Sequence, residues 1–218
     1  MISRDHILNK VRTALGHAVG RTAATPPPVR LCVPAWTVEE RWQRFASALE
    51  KLGGNAVRVS EPAEARRYVA GLTCGRAAVA SRSPFLEVCG IHQLAGVRRD
   101  FRDPGELRAA CAEAEFGITG ADYALADTGS LAVFASPEEA RLISLLPPVH
   151  IALLPISRLL TGLDELLSLV PNPAERSSAL ILITGPSRTA DIEQILVRGV
   201  HGPGEIHVIV VDDRERRS

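Results

Sequence analysis

The stretch Val149-His150-Ile151-Ala152-Leu153-Leu154, which follows Pro147 and Pro148, indicates the fold class most directly. It is almost wholly apolar and short, as is typical of a buried strand. Comparable apolar runs occur at residues 56–59, 77–80, 131–135, 180–184 and 206–211. Amphipathic helical patterns alternate with them at residues 38–49, 61–72, 84–94, 104–114, 138–146, 162–169 and 189–197. This alternation predicts an α/β fold with a mostly parallel sheet and crossover helices, while residues 121–126 fit a helical turn or a strand equally well.

The first part of the chain has a different pattern. Residues 3–15 place apolar side chains on one helical face, and residues 20–28 contain three consecutive prolines. The sequence therefore predicts an N-terminal helix and Pro-rich linker over residues 1–28 and a single α/β domain over residues 29–218. The helix could pack on its own domain or on a neighbouring molecule, and the sequence does not decide which. Formation of a homo-oligomer is also left open.

Composition disfavours several function classes. The chain has 25 basic and 25 acidic residues, so its formal charge is zero, which argues against a nucleic-acid footprint or a polybasic membrane anchor. No signal peptide and no apolar run of about 20 residues is apparent, so we expect a cytoplasmic protein without a membrane span. Lys10 and Lys51 are the only lysines, which disfavours Schiff-base or phosphate-loop chemistry.

Cofactor-binding patterns are also missing from the sequence. The four cysteines form no C-x-x-C pair, and neither a G-x-S-x-G elbow nor an H-E-x-x-H motif occurs. We therefore expect no metal and no other cofactor in this chain, and we expect the cysteines to be free thiols.

The loop at residues 185–191 is one candidate site, because it follows the apolar run 180–184. In open α/β sheets ligands bind beyond the carboxyl ends of the strands, where loops lead into helices. Ser187 and Thr189 offer hydroxyls, and Arg188 could bind a carboxylate or phosphate beside a helix N-terminus. The alternative is simple helix capping, with Arg188 exposed or paired with Asp191.

Residues 117–130 form a second candidate segment. Thr119 and Thr128 carry hydroxyls, and Asp122 or Asp127 could accept protons or hydroxyl hydrogen bonds. A pair of ordinary turns would explain the same residues. In a third loop, His201 stands among glycines and could act as an acid or base, or could only cap carbonyl groups. If the strands share one direction, these loops converge on one edge and form one cleft.

Three stretches carry a resemblance to a known family. Phe116-Gly117-Ile118-Thr119-Gly120-Ala121-Asp122 through Ala126-Asp127-Thr128-Gly129-Ser130, Gly185-Pro186-Ser187-Arg188-Thr189-Ala190-Asp191 and Gly199-Val200-His201-Gly202-Pro203 together resemble the LUD-domain family. The resemblance is strong over residues 113–213. It implies a fold like the sugar-phosphate isomerase and CoA-transferase-like superfamily. It also implies a role in oxidation of L-lactate to pyruvate, alongside partner proteins that carry iron–sulfur clusters.

We therefore expect a subunit or accessory factor for lactate oxidation, with Thr119, Thr128, Ser187, Arg188, Thr189 and Asp191 as candidate binders of a small carboxylate. Asp122, Asp127 and His201 are the catalytic candidates, without an assigned mechanism. One alternative is a self-sufficient enzyme that acts on a phosphorylated or CoA-linked metabolite, with Glu115, Asp122 or Asp127 as nucleophile or base. Another is a structural partner protein that assembles through its N-terminal helix.

Overall fold

The computed structural model of the protein describes residues 4–14, 16, 33–189 and 197–213. By its internal contacts the chain divides into two compact units, residues 1–31 and residues 32–218. The first unit contains helix α1 (Arg4–Ala14), which falls within the predicted helix 3–15. The linker predicted at residues 20–28 lies outside the described residues.

The second unit contains the remaining described elements. Its helices are α2 (Val38–Lys51), α3 (Pro62–Thr73), α4 (Pro84–Val88), α5 (Pro104–Glu113), α6 (Leu142–Leu145), α7 (Leu163–Leu169) and α8 (Pro173–Arg176). Its strands are β1 (Asn55–Val59), β2 (Ala78–Ala80), β3 (Val97–Arg98), β4 (Phe116–Gly120), β5 (Tyr123–Leu125), β6 (Ser130–Phe134), β7 (Val149–Pro155), β8 (Leu159–Leu160), β9 (Leu180–Ile183), β10 (Arg188–Thr189), β11 (Val197–Arg198) and β12 (Glu205–Val211).

A six-stranded sheet with the order β1-β12-β7-β4-β2-β3 forms the centre of this unit. All of its neighbouring strands are parallel. The strand that begins at Val149 lies near the middle, between β12 and β4, which explains its continuous apolar sequence. The predicted α/β fold with a mostly parallel sheet is confirmed.

A second sheet of four strands, in the order β8-β5-β6-β9, was not predicted. Strands β5 and β6 form a hairpin in which the Gly129 amide donates to the Leu125 carbonyl oxygen at 2.9 Å. Gly129 has φ +68°, a backbone conformation that favours glycine. The ambiguous residues 121–126 therefore contain a strand, because the turn after them folds the chain back on itself.

The two faces of the six-stranded sheet bury different elements. On one face Ile118, Ile151 and Leu153 pack with residues of α3 and α4. On the other face Ala152, Leu154 and Val208 pack with α2 and with the small sheet. Strand alternation produces this separation, because successive side chains point to opposite faces. Helix α2 begins at a capping box, in which the Thr37 hydroxyl accepts from the Glu40 amide and the Glu40 carboxylate accepts from the Thr37 amide.

Three helix predictions need correction. The predicted helix 84–94 is reduced to α4 and a separate 3-10 turn over Ile91–Gln93, because Gly90 between them has φ +65°. Thr189 and Val197, the ends of the predicted helix 189–197, lie in the antiparallel pair β10–β11. The Gly199 amide donates to the Ser187 carbonyl oxygen at 3.0 Å. The loop at Ser187 therefore leads into an antiparallel strand pair and not into a helix. Residues 190–196 lie outside the described residues. The predicted helix 138–146 shortens to α6, because the Ser136 hydroxyl accepts the Glu138 and Glu139 amides and forms a turn.

Candidate functional site

The six-stranded sheet has one topological switch point. From β2 the chain continues to β3 on one side, whereas from β4 it continues to β7 on the opposite side. Between the carboxyl ends of β2 and β4, the loops therefore diverge and leave a crevice. Such a crevice is the usual ligand-binding place of open α/β sheets.

A cavity of about 400 Å³ occupies this place, and we call it the switch-point cleft. Ser83 lies on the loop after β2, Asp122 follows β4, and Arg176 ends α8. The turn after β6 closes the remaining side with Ser136 and Glu139. Residues far apart in sequence thus meet at one edge of the sheet.

Glu139 is the chemically unusual residue of the switch-point cleft. Its side chain is 9% exposed, and its Oε1 atom has no hydrogen-bond partner among the described residues. The pKa of Glu139 is raised to about 8, mainly by burial and in smaller part by the negative charge of Asp122. Hydrogen bonds from the Ser81 hydroxyl and the Gly120 amide oppose this shift without cancelling it. Glu139 is therefore largely protonated at neutral pH and can donate a hydrogen bond or a proton.

Asp122 and Arg176 form the charged wall of the cleft. Asp122 Oδ1 accepts from Arg176 Nη2 at 2.6 Å, and Asp122 Oδ2 accepts from the Phe134 amide at 2.8 Å. The Arg176 guanidinium also stacks 4.1 Å above the Phe134 ring. These contacts fix the guanidinium plane and use one of its five donors on Asp122, so further donors remain for a bound anion.

This arrangement suits a small carboxylate. An arginine and a neutral carboxylic acid can each donate to a carboxylate oxygen, and both line the same cavity. Glu139 can also donate a proton to a bound ligand or accept one from it, because general acid–base catalysis requires a pKa near neutral pH. Within the described ranges, no group of three His, Cys, Asp or Glu side chains could hold a metal ion.

The predicted site residues do not all meet in this cleft; of those described, Asp122 alone lines it. Thr119 is 1% exposed, and its Oγ1 lies 2.8 Å from Nε2 of the buried His150. Glu115 pairs with Arg76 at 2.6 Å and precedes β4, at the end opposite the cleft. The segment at residues 117–130 is therefore divided between separate regions.

Asp127 and Thr128 lie at the turn between β5 and β6, where they begin a chain of hydroxyl groups. Thr128 Oγ1 donates to Asp127 Oδ1 at 3.2 Å, and Ser130 Oγ donates to Thr128 Oγ1 at 2.8 Å. Ser130 Oγ also lies 2.8 Å from Thr184 Oγ1. Because the single Ser130 proton is already used, Thr184 must be the donor in this last bond. The predicted segments thus do approach each other, at Ser130 and Thr184.

Ser187 and His201 line another cavity, of about 200 Å³, with His150 and Thr184. We call it the His150 cavity. Arg188 is exposed and Thr189 half-buried in β10, and neither lines this cavity or the switch-point cleft as far as the structure describes them. Asp191 lies outside the described residues. The predicted site residues therefore do not share one cleft: Asp122 lines the switch-point cleft, Ser187 and His201 line the His150 cavity, and Asp127 and Thr128 line a third cavity beside α2.

Sequence reasoning missed Glu139, Ser81 and Arg176. Glu139 fell within a predicted helix, where an exposed glutamate is unremarkable. The signal that could have found it is Ser136-Pro137, which directly follows a buried strand and favours a turn. Arg176 carries no local signal, because only the tertiary fold brings it to Asp122.

Comparisons with known proteins agree with this architecture. A sequence model of the family described as the LUD domain matches residues 42–211, more than half of the chain. A crystal structure of a DUF162 family protein from Deinococcus radiodurans superposes with a TM-score of 0.60 and 21% sequence identity. The match covers 81% of this chain and 99% of that one, and at this identity it shows the fold alone.

Curated relatives carry a functional name. Lactate utilization protein C of Halalkalibacterium halodurans is 42% identical over 106 residues, which are 47% of this chain and 46% of that protein. Lactate utilization protein C of Bacillus subtilis is 39% identical over 117 residues, which are 51% of this chain and 49% of that protein. The chain spans about half the length of the curated relatives it matches. Among the described residues, no helix is long and apolar enough to cross a membrane.

Proposed function

The chain belongs to the LUD domain family, and from this membership we propose that it is a subunit or accessory factor of L-lactate oxidation to pyruvate. Relatives named lactate utilization protein C support the role in lactate utilization. The same proposal places the protein in the cytoplasm. Binding of a small carboxylate, lactate or pyruvate, in the switch-point cleft is the molecular part of the proposal.

The presence of Arg176 and Glu139 in the lining of the same cleft is the observation that supports carboxylate binding. Arg176 supplies guanidinium N–H donors that Asp122 does not use, and these donors can bind a carboxylate. Protonated Glu139 adds a donor without adding negative charge. A carboxylate bound between them would place its substituent toward the apolar wall made by Phe134 and Ala121.

Electron transfer belongs to partner proteins in this proposal. Oxidation of lactate to pyruvate releases two electrons and two protons, so an acceptor is required. The chain has no closely spaced cysteine motif for a cluster, and we propose that iron–sulfur subunits of a complex accept the electrons. Glu139 could exchange a proton with the bound hydroxy acid, and this chain itself would carry no cofactor.

A second candidate function rests on the same buried glutamate. A self-sufficient enzyme on a phosphorylated or CoA-linked metabolite needs a carboxylate nucleophile or base, and Glu139, which lines the switch-point cleft, would act in this role in its ionised form, the minor form at neutral pH. Glu115 does not suit this role, because it is paired at the opposite end of β4. Turnover of acetyl-coenzyme A by the purified chain alone would favour this second function.

Calorimetric titration of the purified protein with L-lactate and pyruvate tests the proposal. Arg176→Ala removes a charge-assisted contact, which is worth about 1.5–3 kcal/mol, so affinity should fall about 10- to 100-fold. Arg108→Ala is the matched control, because Arg108 is exposed on α5 outside the cleft. Equal affinities of the Arg176→Ala and Arg108→Ala variants would contradict carboxylate binding in the switch-point cleft.

A further inference from the structure

The His150 cavity is lined by a histidine that has a buried ring nitrogen without a hydrogen-bond partner among the described residues. His150 is 1% exposed, and its Nε2 lies 2.8 Å from the Thr119 hydroxyl. Its Nδ1 is buried and has no hydrogen-bond partner within the described part of the chain. Burial lowers the pKa of His150 to about 4, so the imidazole is neutral at physiological pH. An unpaired buried nitrogen destabilises the folded protein, and a ligand that bonds to it would recover that free energy.

Thr184 presents a second polar group to this cavity. Its hydroxyl proton is committed to Ser130, because Ser130 donates to Thr128 and Thr128 donates to Asp127. The Thr184 oxygen therefore offers only acceptor lone pairs to the cavity. A ligand that meets Thr184 has to bring a donor of its own.

The rest of the lining is mostly apolar, and its polar residues include Ser187 and His201. Leu145, Leu182 and Ile206 supply apolar surface, and Ser187 supplies a hydroxyl. As far as the structure describes the lining, it includes no aspartate, glutamate, lysine or arginine, and His201 is exposed to solvent. A charged ligand would lose its hydration in this cavity and gain no buried ion pair. The lining therefore favours an uncharged molecule.

We propose that the His150 cavity is a second binding site, separate from the switch-point cleft, for a small uncharged molecule with a hydroxyl group on an apolar body. The ligand hydroxyl donates to the Thr184 oxygen or to His150 Nδ1. Its oxygen can accept from the Ser187 hydroxyl, or from His150 Nδ1 when that nitrogen carries the imidazole proton. The apolar body lies against the leucine side chains. A volume of about 200 Å³ fits a molecule of the size of a single substituted ring.

Titration of the ¹⁵N-labelled full chain with phenol, followed by NMR, tests this site. Phenol has an apolar ring and one hydroxyl, and a ligand of this size should bind with a Kd in the range of about 1–10 mM. Shifts should concentrate on the imidazole of His150 and on the amides of Thr184 and Ser187. Benzene, which lacks the hydroxyl, and benzoate, which is charged, should each bind at least about tenfold more weakly.

Two variants separate binding in the cavity from general surface binding. Leu145→Phe extends a half-exposed side chain into the cavity and should abolish phenol binding while the protein stays folded. Leu169→Phe, at an exposed leucine outside the cavity, is the matched control and should bind phenol normally. The proposal is wrong if benzoate binds as tightly as phenol, if Leu145→Phe retains phenol binding, or if phenol produces no shifts at these residues.

Discussion

The switch-point cleft and the His150 cavity each bury an ionisable group in its neutral form, but the two groups are of opposite type. Glu139 is an acid whose pKa is raised to about 8, and His150 is a base whose pKa is lowered to about 4. Both shifts have burial as their main cause. The difference lies in the surroundings: Arg176 and Asp122 line the cleft with Glu139, whereas the described lining of the His150 cavity contains no aspartate, glutamate, lysine or arginine.

This difference predicts opposite effects of pH on stability. An acid with a raised pKa in the folded state costs stability as pH rises from its unfolded value of 4.5 towards 8, because only the unfolded chain ionises. A base with a lowered pKa costs stability as pH falls from 6.5 towards 4, because only the unfolded chain gains the proton. The two regions should therefore limit stability from opposite sides of the pH range.

Gly117→Ala should have the largest effect on the free energy of unfolding, because it should displace α6, the helix that links the two regions in sequence. A Cβ atom at Gly117 would overlap the backbone carbonyl oxygen of Ile143 in α6, which follows Glu139 and carries Leu145 of the His150 cavity. A backbone atom cannot rotate away, so we expect a loss of about 5 kcal/mol or more, comparable with the stability of a domain. Urea denaturation measures this loss.

Gly71→Ala is the control for Gly117→Ala. Gly71 lies in α3, and a Cβ there would meet nothing within 4 Å. Alanine is the better helix former by about 0.5–1 kcal/mol, so this variant should be slightly more stable than the wild type. Full retention of stability in Gly117→Ala would mean that α6 is free to move away from β4.

The sequence predicted β1, β2, β7 and β12 of the parallel sheet from their apolar runs, but β4 was not among these runs, because its glycines and threonine interrupt the apolar pattern. It did not predict the small sheet, since an apolar run such as residues 131–135 does not reveal whether its partner runs parallel or antiparallel. Thr189 was expected to cap a helix, but backbone bonding between Ser187 and Gly199 placed it in a strand. The switch-point cleft depends on contacts between residues distant in sequence, such as Arg176 with Asp122, which no local pattern encodes.

Glu139→Gln tests whether Glu139 causes the expected loss of stability at alkaline pH. The wild type should lose about 1.4 kcal/mol per pH unit from this group between pH 4.5 and pH 8, or about 4 kcal/mol in all as an upper value. Glutamine does not ionise, so the variant should lack this loss and become the more stable protein near pH 8. Urea denaturation at pH 5, 6.5 and 8 measures the difference.

The control for Glu139→Gln is Glu138→Gln, because Glu138 is the exposed neighbour on the same turn. That variant should follow the wild-type pH profile. Parallel profiles for the wild type and Glu139→Gln would show that Glu139 titrates at its ordinary value in the folded protein, and the hydrogen-bond donor assigned to the switch-point cleft would then be absent at neutral pH.

His150→Gln tests the acid side, where the expected effect is smaller because the pKa shift is smaller. Between pH 6.5 and pH 4, the buried imidazole should cost the wild type about 3 kcal/mol, since protonation is confined to the unfolded chain. Glutamine can keep a hydrogen bond to Thr119 and takes up no proton, so the variant should lose less stability over this interval, whatever its stability at pH 7. His6→Gln, at an exposed histidine of α1 outside the described lining of the cavity, is the control and should keep the wild-type acid slope. Saturating phenol supplies an independent check, because a ligand bound to neutral His150 should raise stability near neutral pH in the wild type and in His6→Gln but not in His150→Gln. An acid slope that is the same in all three proteins would mean that His150 takes up a proton while folded, and the uncharged character inferred for its cavity would fail with it.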